Sequence, residues 1–144
     1  MPTLEDAISL AIKAHQAQRD KAGAPYILHP LRVMLSMATE TEMITAVSVL
    51  YDVVEDGGIT IDDLRRAGYS EEIINSIDYL TRRNEEDYDK FIARLKDNPL
   101  ARKIKIADLK DNSNLKRIAE LKENDYKRLE KYRRALVELM KIEI

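Results

Sequence analysis

Two clusters of oxygen-bearing side chains repeat one spacing in this sequence. Asp52, Glu55 and Asp56 stand at positions i, i+3 and i+4, which would place three carboxylates on one face of a helix. Like charges at this spacing repel one another, and the macrodipole disfavours them further at a helix C-terminus. The cluster therefore indicates a nearby cation. A solvated acidic helix end before Gly57-Gly58 is an equally good interpretation of these three residues alone.

The second cluster has the same spacing. Asp108, Asp111 and Asn112 follow an apolar run that ends at Ala107, so they should lie at the core-facing edge of another helix. A single Asp in such a place is more often a hydrogen-bonded structural residue. Two clusters of oxygen ligands in one small chain favour a shared cation site instead.

A histidine and two basic residues add to this chemistry. His29 precedes Pro30, and the residue before a proline is normally held extended, which would fix the direction of the imidazole. A rigid His is a good metal ligand, although an isolated one is more often an ordinary packed residue. Arg19 and Lys21 lie just before Gly23, where they could meet a phosphate at the mouth of the same region.

The elements that must position these residues are helices. Thr3 and Asp6 have the spacing of a capping box, and apolar residues at helical spacing follow them. A second helix should begin at Pro30. The most hydrophobic helix should run from about Thr39 to Gly57-Gly58. Further helices are expected over about 60–66, 70–82, 86–96, 99–112 and from 124 onward. The pattern predicts an all-α, compact bundle of about eight helices.

Composition limits the class of protein. The 144 residues suit one domain over 1–144. The formal net charge of -2, from 24 basic and 26 acidic residues, gives no basic excess for a nucleic acid polymer. The absence of cysteine leaves His and carboxylates as the ligands for any metal. Met1 to Lys13 contains no long apolar run, so we expect no signal peptide, no membrane contact and a cytoplasmic location.

Five segments in order resemble the HD-domain hydrolases of guanosine tetraphosphate (ppGpp) and pentaphosphate, including their small single-domain forms. The resemblance covers nearly the whole chain. It is carried by Ala14-His15-Gln16-Ala17-Gln18-Arg19, Gly23-Ala24-Pro25-Tyr26-Ile27-Leu28-His29-Pro30, Asp52-Val53-Val54-Glu55-Asp56, Leu80-Thr81-Arg82 and Lys105-Ile106-Ala107-Asp108-Leu109-Lys110-Asp111-Asn112. It implies an HD-domain fold and a metal-dependent phosphohydrolase that removes 3′-pyrophosphate from a ppGpp-like nucleotide.

The resemblance also implies a role for each matched residue. A divalent metal, usually Mn²⁺ in that family, would be held at the positions of His29, Tyr51, Asp52 and Asp108. The Glu-Asp pair that activates the attacking water matches Glu55 and Asp56, and these would be the catalytic residues. Residues that contact the nucleotide match Arg19, Lys21 and Asn112.

One position departs from the family pattern. The doublet that names the family is His-Asp, and this sequence reads Tyr51-Asp52. A phenol with an ordinary pKa of about 10 must lose its proton to bind a metal, so tyrosine is a poorer ligand than imidazole at neutral pH. His29, Asp52 and Asp108 still supply one nitrogen and two carboxylates. The leading hypothesis is a metal-dependent nucleotide phosphohydrolase with weakened metal binding, and the alternative is a catalytically impaired nucleotide-binding or interaction module.

Overall fold

The computed structural model describes residues 2–118 and 120–141. Within those ranges the chain forms nine α-helices, a 3₁₀ turn at Leu115–Arg117 and one isolated β-bridge between Arg19 and Pro25. The helices are α1 (Leu4–Ala14), α2 (Leu28–Ser36), α3 (Glu42–Leu50), α4 (Val53–Asp56), α5 (Ile61–Arg66), α6 (Glu71–Leu80), α7 (Tyr88–Leu95), α8 (Pro99–Asn112) and α9 (Glu123–Met140). The predicted all-α class is confirmed. Because α4 is a single turn, the expected number of about eight also holds.

Side-chain caps start several helices where the sequence predicts them. Thr3 accepts a hydrogen bond from the Asp6 backbone while the Asp6 side chain accepts one from the Thr3 backbone, which completes a capping box for α1. Asn98 caps α8, and Pro99 occupies its first turn, where a missing N–H costs no helical hydrogen bond. These local interactions fix the lengths of the helices that frame the site.

The core is centred on α3. Residues 45–50 are all buried, and α3 packs against α1, α2, α6 and α8. A second, smaller apolar cluster joins α7, α8 and α9. Ile104 of α8 belongs to the first cluster and Leu109 to the second, so Asp108 lies on the helix that connects the two. Within the described ranges, no helix is long and apolar enough to cross a bilayer.

The helix predicted from about Thr39 to Gly57-Gly58 is wrong in its extent. Thr41 caps α3, and the helix ends at Leu50; Tyr51 and Asp52 then form a turn before α4. The acidic cluster therefore begins at the N-cap of a short helix and does not crowd the C-terminal turn of a long one. The side chains of Tyr51 and Asp52 bond to partners on other elements, and helical periodicity contains no information about such contacts.

Candidate functional site

His29 lies at the centre of a buried network between α2 and α8. Its Nδ1 is 2.6 Å from Asp111 Oδ2, and its Nε2 is 2.7 Å from Asp108 Oδ1. Arg32, one turn further along α2, donates hydrogen bonds of 2.8 and 3.0 Å to the Asp111 carboxylate. Burial acts to lower the His29 pKa, but the hydrogen bonds to the two carboxylates raise it to about 9.

The backbone at His29 differs from the sequence expectation. The residue lies in the first turn of α2 and is not extended, because the helix begins at Leu28, two residues before Pro30. The orientation of the imidazole comes instead from carboxylates on α8, at both ring nitrogens. The sequence predicts that the direction of the imidazole is set by the backbone before Pro30, whereas tertiary contacts with α8 set it in the structure.

The Asp108 carboxylate has hydrogen-bond partners on three elements of the structure. Lys105 Nζ lies 2.9 Å from its Oδ2, and the Tyr51 hydroxyl donates to its Oδ1 at 2.5 Å. The Asn112 amide is 3.4 Å from the same Oδ1. Burial would raise the pKa of Asp108, but the Lys105 ammonium and the hydrogen bond from His29 hold it well below its usual value. Asp108 is therefore an ionised carboxylate in the protein interior.

Tyr51 is part of the same network. It is 4% exposed, and its hydroxyl lies 2.8 Å from His29 Nε2 as well as 2.5 Å from Asp108 Oδ1. Burial raises its pKa well above 10, and the nearby carboxylates of Asp108 and Asp52 act in the same direction. The phenol therefore keeps its proton at neutral pH and acts as a hydrogen-bond donor.

Asp52 faces the network from the turn between α3 and α4. The Tyr26 hydroxyl donates a hydrogen bond to its Oδ2. Burial is the main reason that the pKa of Asp52 rises to about 7, and the hydrogen bond from Tyr26 opposes that rise. His29 and Asp108 are close enough to influence the charge on Asp52, so all four predicted metal ligands lie in one region of the molecule.

The chemistry of these donors fits a divalent metal in part. Asp111 holds the Nδ1 of His29, as carboxylates commonly do for metal-binding histidines, and Asp52 and Asp108 supply oxygens that suit manganese. Across residues 2–118 and 120–141, however, no three His or carboxylate side chains converge as a metal-binding group. The Tyr51 hydroxyl contacts both His29 Nε2 and Asp108 Oδ1, so an ion at those atoms would compete with it.

The two predicted water-handling residues lie on α4. Glu55 Oε2 accepts a hydrogen bond of 3.3 Å from the Arg82 backbone N–H, which joins α4 to the loop after α6. Burial raises the pKa of Glu55, against the effect of that hydrogen bond. The backbone carbonyl of Asp56 accepts from the Gln18 amide at 2.8 Å, which ties α4 to the loop after α1. Both residues are exposed, as contact with water requires.

A pocket of about 400 Å³ opens beside this centre. Arg19, Lys21 and Asn112 line it, so the three predicted nucleotide contacts are close together. Tyr26 also lines it, and Tyr26 and Asn112 bond to Asp52 and Asp108 respectively. The pocket and the buried network therefore share walls, and the volume suits a small organic ligand.

Several residues of the site are not among the metal ligands, catalytic residues and nucleotide contacts that the sequence predicts. Arg128 and Tyr132 of α9 line the pocket together with Lys21, and Asp111, Tyr26 and Arg32 hold the network together. The spacing of Asp111 from Asp108 in the sequence is a usable signal for its place in the site. For the α9 residues there was none, because i, i+4 spacing of a base and an aromatic is common on any amphipathic helix.

Comparison with known proteins gives sequence relatives and a structural neighbour. A guanosine-3′,5′-bis(diphosphate) 3′-pyrophosphohydrolase of Aquifex aeolicus is 28% identical over 120 residues, which is 76% of this chain and 17% of that protein. A probable enzyme of the same name from Synechocystis is 36% identical over 78 residues, covering 53% of this chain and 10% of that one. The chain thus spans a small part of these relatives. No protein-family model matches it.

The structural neighbour is described as a metazoan ortholog of SpoT that hydrolyzes ppGpp and plays a role in starvation responses. It superposes with a TM-score of 0.76 and 19% sequence identity, over 96% of this chain and 86% of the other. At that identity the likeness establishes the all-helical fold alone.

Proposed function

The chain is related in sequence and in fold to the HD-domain guanosine-3′,5′-bis(diphosphate) 3′-pyrophosphohydrolases, and on that premise we propose that it is a phosphohydrolase that removes pyrophosphate from the 3′ position of such a nucleotide. The observation that carries the proposal is the pocket. A cavity lined by Arg19, Lys21 and Arg128 shares walls with the buried network around Asp108. Cations that line a pocket, with a network of carboxylates bonded to one of its walls, suit a reaction at a phosphate group.

The reaction breaks the bond between the 3′ oxygen of the ribose and the adjoining phosphorus. Water adds to that phosphorus and loses a proton, the 3′ oxygen gains one, and inorganic pyrophosphate and a 5′-diphosphate nucleoside are released. Glu55 and Asp56 would orient the water and accept its proton. Arg19 and Lys21 would hold the anion, and Asn112 would contact the sugar and phosphate region.

A divalent cation, manganese in this proposal, would be held by His29, Asp52 and Asp108. When bound, the cation would neutralise part of the phosphate charge and lower the pKa of the water that it coordinates. Asp111 would keep His29 Nε2 directed toward Asp108, since it fixes the other ring nitrogen.

The test is an assay of the purified chain with guanosine-3′,5′-bis(diphosphate), with and without added Mn²⁺. We expect release of inorganic pyrophosphate and guanosine diphosphate in equal amounts, and stimulation by manganese. A matched panel of guanosine diphosphate and adenosine-3′,5′-bis(diphosphate) tests whether the 3′-pyrophosphate and the base are needed. Absence of turnover across the panel, with nucleotide binding retained, would contradict the hydrolase and support the second candidate.

That second candidate is a module that binds the nucleotide without hydrolysing it, and Tyr51 is the observation that favours it. Its hydroxyl already satisfies Asp108 Oδ1 and lies within hydrogen-bond distance of His29 Nε2. Because burial keeps the phenol protonated, it supplies neither charge nor a ready ligand to a cation.

Tyr51→His is expected to tighten Mn²⁺ binding by about ten-fold or more, equivalent to about 1.4 kcal/mol, and to raise turnover. Imidazole is a neutral ligand, and it would replace a group that competes for His29 and Asp108. Titration calorimetry with Mn²⁺ measures the change. Tyr51→Phe is the matched control, because it removes the hydroxyl without adding a ligand. Equal affinities in the His variant and the wild type would show that Tyr51 does not limit metal binding.

A further inference from the structure

Several cations near the site form no ion pair with a carboxylate among the described residues. Lys21, Arg82 and Lys131 form no ion pair in the part of the chain that the structure describes, whereas Lys105 is paired with Asp108 and Arg128 with Asp125. The Arg82 guanidinium instead donates to the Glu86 backbone carbonyl at 2.8 Å. An uncompensated cation on a surface is ordinary, but a group of them on different elements creates a field that attracts an anion.

Lys131 of α9 is the most enclosed member of this group. Its Nζ lies 4.6 Å from the centre of the Tyr88 ring and 5.4 Å from that of Tyr132. The Arg82 guanidinium approaches the same Tyr88 ring at 5.7 Å. The Tyr88 ring thus contacts cations from two separate elements, through attraction that uses no carboxylate.

The electrostatics agree with this geometry. Partial burial lowers the pKa of Lys131, and the positive charges of Arg82, Lys105, Lys21 and Arg128 lower it further. Lys21, which lines the pocket, has its pKa lowered by partial burial and by the charge of Arg128, against the opposing effect of Asp125. The Glu55 carboxylate accepts a hydrogen bond from the Arg82 backbone N–H.

Tyr88 adds an unused polar atom at the same place. Its hydroxyl is buried and has no hydrogen-bond partner among the described residues, and it lies close enough to Lys105 and Asp108 for their charges to affect its pKa. A buried hydroxyl without a partner costs free energy. A ligand oxygen that accepts from it would remove that cost.

From these contacts we infer that Lys131 and Arg82, together with the Tyr88 hydroxyl, form a subsite for a pyrophosphate group. A pyrophosphate has several negative charges over two linked phosphoryl groups, so it can contact cations on two elements at once, which a single phosphate spans less well. The subsite borders the network around Asp108, where the 3′-pyrophosphate would react. The inference rests on the proposed function for the identity of the nucleotide, but not for the binding of the anion.

Calorimetric titration with inorganic pyrophosphate, without added metal, tests the subsite directly. Lys131→Met keeps a long unbranched side chain at this position and removes the charge. It is expected to weaken pyrophosphate binding by about ten-fold or more, as for the loss of a charge-assisted contact. Lys131→Arg should restore most of the affinity. Lys127→Ala is the matched control, since Lys127 lies on the same helix, is exposed and pairs with Glu123 at 3.6 Å; it should bind as the wild type does.

Each outcome of this test decides the inference. Unchanged affinity in Lys131→Met, equal weakening in Lys131→Met and Lys127→Ala, or no pyrophosphate binding by the wild type at millimolar concentration would overturn it. Tyr88→Phe gives a second readout and should weaken pyrophosphate more than inorganic phosphate. If Lys131→Met weakens pyrophosphate while no variant hydrolyses the nucleotide, the subsite stands and the proposed hydrolase fails. If the wild type hydrolyses the nucleotide and Lys131→Met leaves pyrophosphate binding unaffected, the proposed hydrolase stands and the subsite fails.

Discussion

Glu55→Gln is expected to lower the turnover of guanosine-3′,5′-bis(diphosphate) by roughly 10²- to 10⁴-fold, the usual effect of losing general acid-base catalysis. Glutamine has nearly the same shape, and its carbonyl can still accept the hydrogen bond that Glu55 receives from the Arg82 backbone. What it lacks is basicity. Partial desolvation raises the pKa of Glu55, which makes this carboxylate a better proton acceptor than one with its ordinary pKa. The effect should therefore fall on kcat and leave nucleotide affinity nearly unchanged.

Single-turnover kinetics measures the effect of Glu55→Gln on the chemical step, and a separate binding titration measures its effect on nucleotide affinity. Glu72→Gln is a suitable control, because Glu72 is an exposed carboxylate on α6. It should hydrolyse the nucleotide at the wild-type rate. If Glu55→Gln abolishes Mn²⁺ binding as well as turnover, Glu55 is a metal ligand and its proposed role is wrong. Unchanged turnover would remove it from the reaction.

Asp108→Ala is expected to reduce the free energy of unfolding by about 3–5 kcal/mol, because it leaves buried positive charge without its partner. Lys105 Nζ lies 2.9 Å from Asp108 Oδ2, and the side chain of Lys105 is only 15% exposed. The same carboxylate accepts hydrogen bonds from Tyr51 and lies against His29. One substitution therefore removes the partner of three buried groups, and few single changes affect stability as much.

Urea denaturation followed by circular dichroism measures the stability of the Asp108 variant. Glu130→Ala is the matched control, since Glu130 forms an exposed pair with Arg133 at 2.6 Å on α9, and exposed pairs contribute little. The double variant Lys105→Met/Asp108→Leu removes both charges and should recover much of the lost stability. Equal stability of Asp108→Ala and Glu130→Ala would contradict the prediction, because it would show that losing the buried ion pair costs no more than losing an exposed one.

Local sequence determined the helices and the grouping of ligands along them. The capping residues Thr3 and Asn98 fixed where α1 and α8 begin, because a side chain that bonds a backbone N–H three residues on depends only on near neighbours. The spacing of Asp108 and Asp111 put both carboxylates on the side of α8 that faces His29. Helical geometry is periodic, so positions on one element predict one another.

Family resemblance extended this prediction across elements. Arg19, Lys21 and Asn112, assigned as nucleotide contacts from matched segments, line one pocket. Their roles remain predictions until binding is measured. Without the resemblance, neither charge nor spacing would have related a loop after α1 to the end of α8, more than 90 positions away in the sequence.

The tertiary structure decided the features that no local pattern contains. The chain turns at Tyr51 and Asp52, although the apolar periodicity of residues 43–54 continues through them, and their side chains bond to Asp108 and Tyr26. The convergence of Lys131 and Arg82 on the Tyr88 ring likewise joins residues of separate elements. Such contacts depend on how helices pack, and packing is set by the whole core. The sequence by itself therefore determined which groups each helix presents, and the packing of α2, α8 and α9 decided which of them meet.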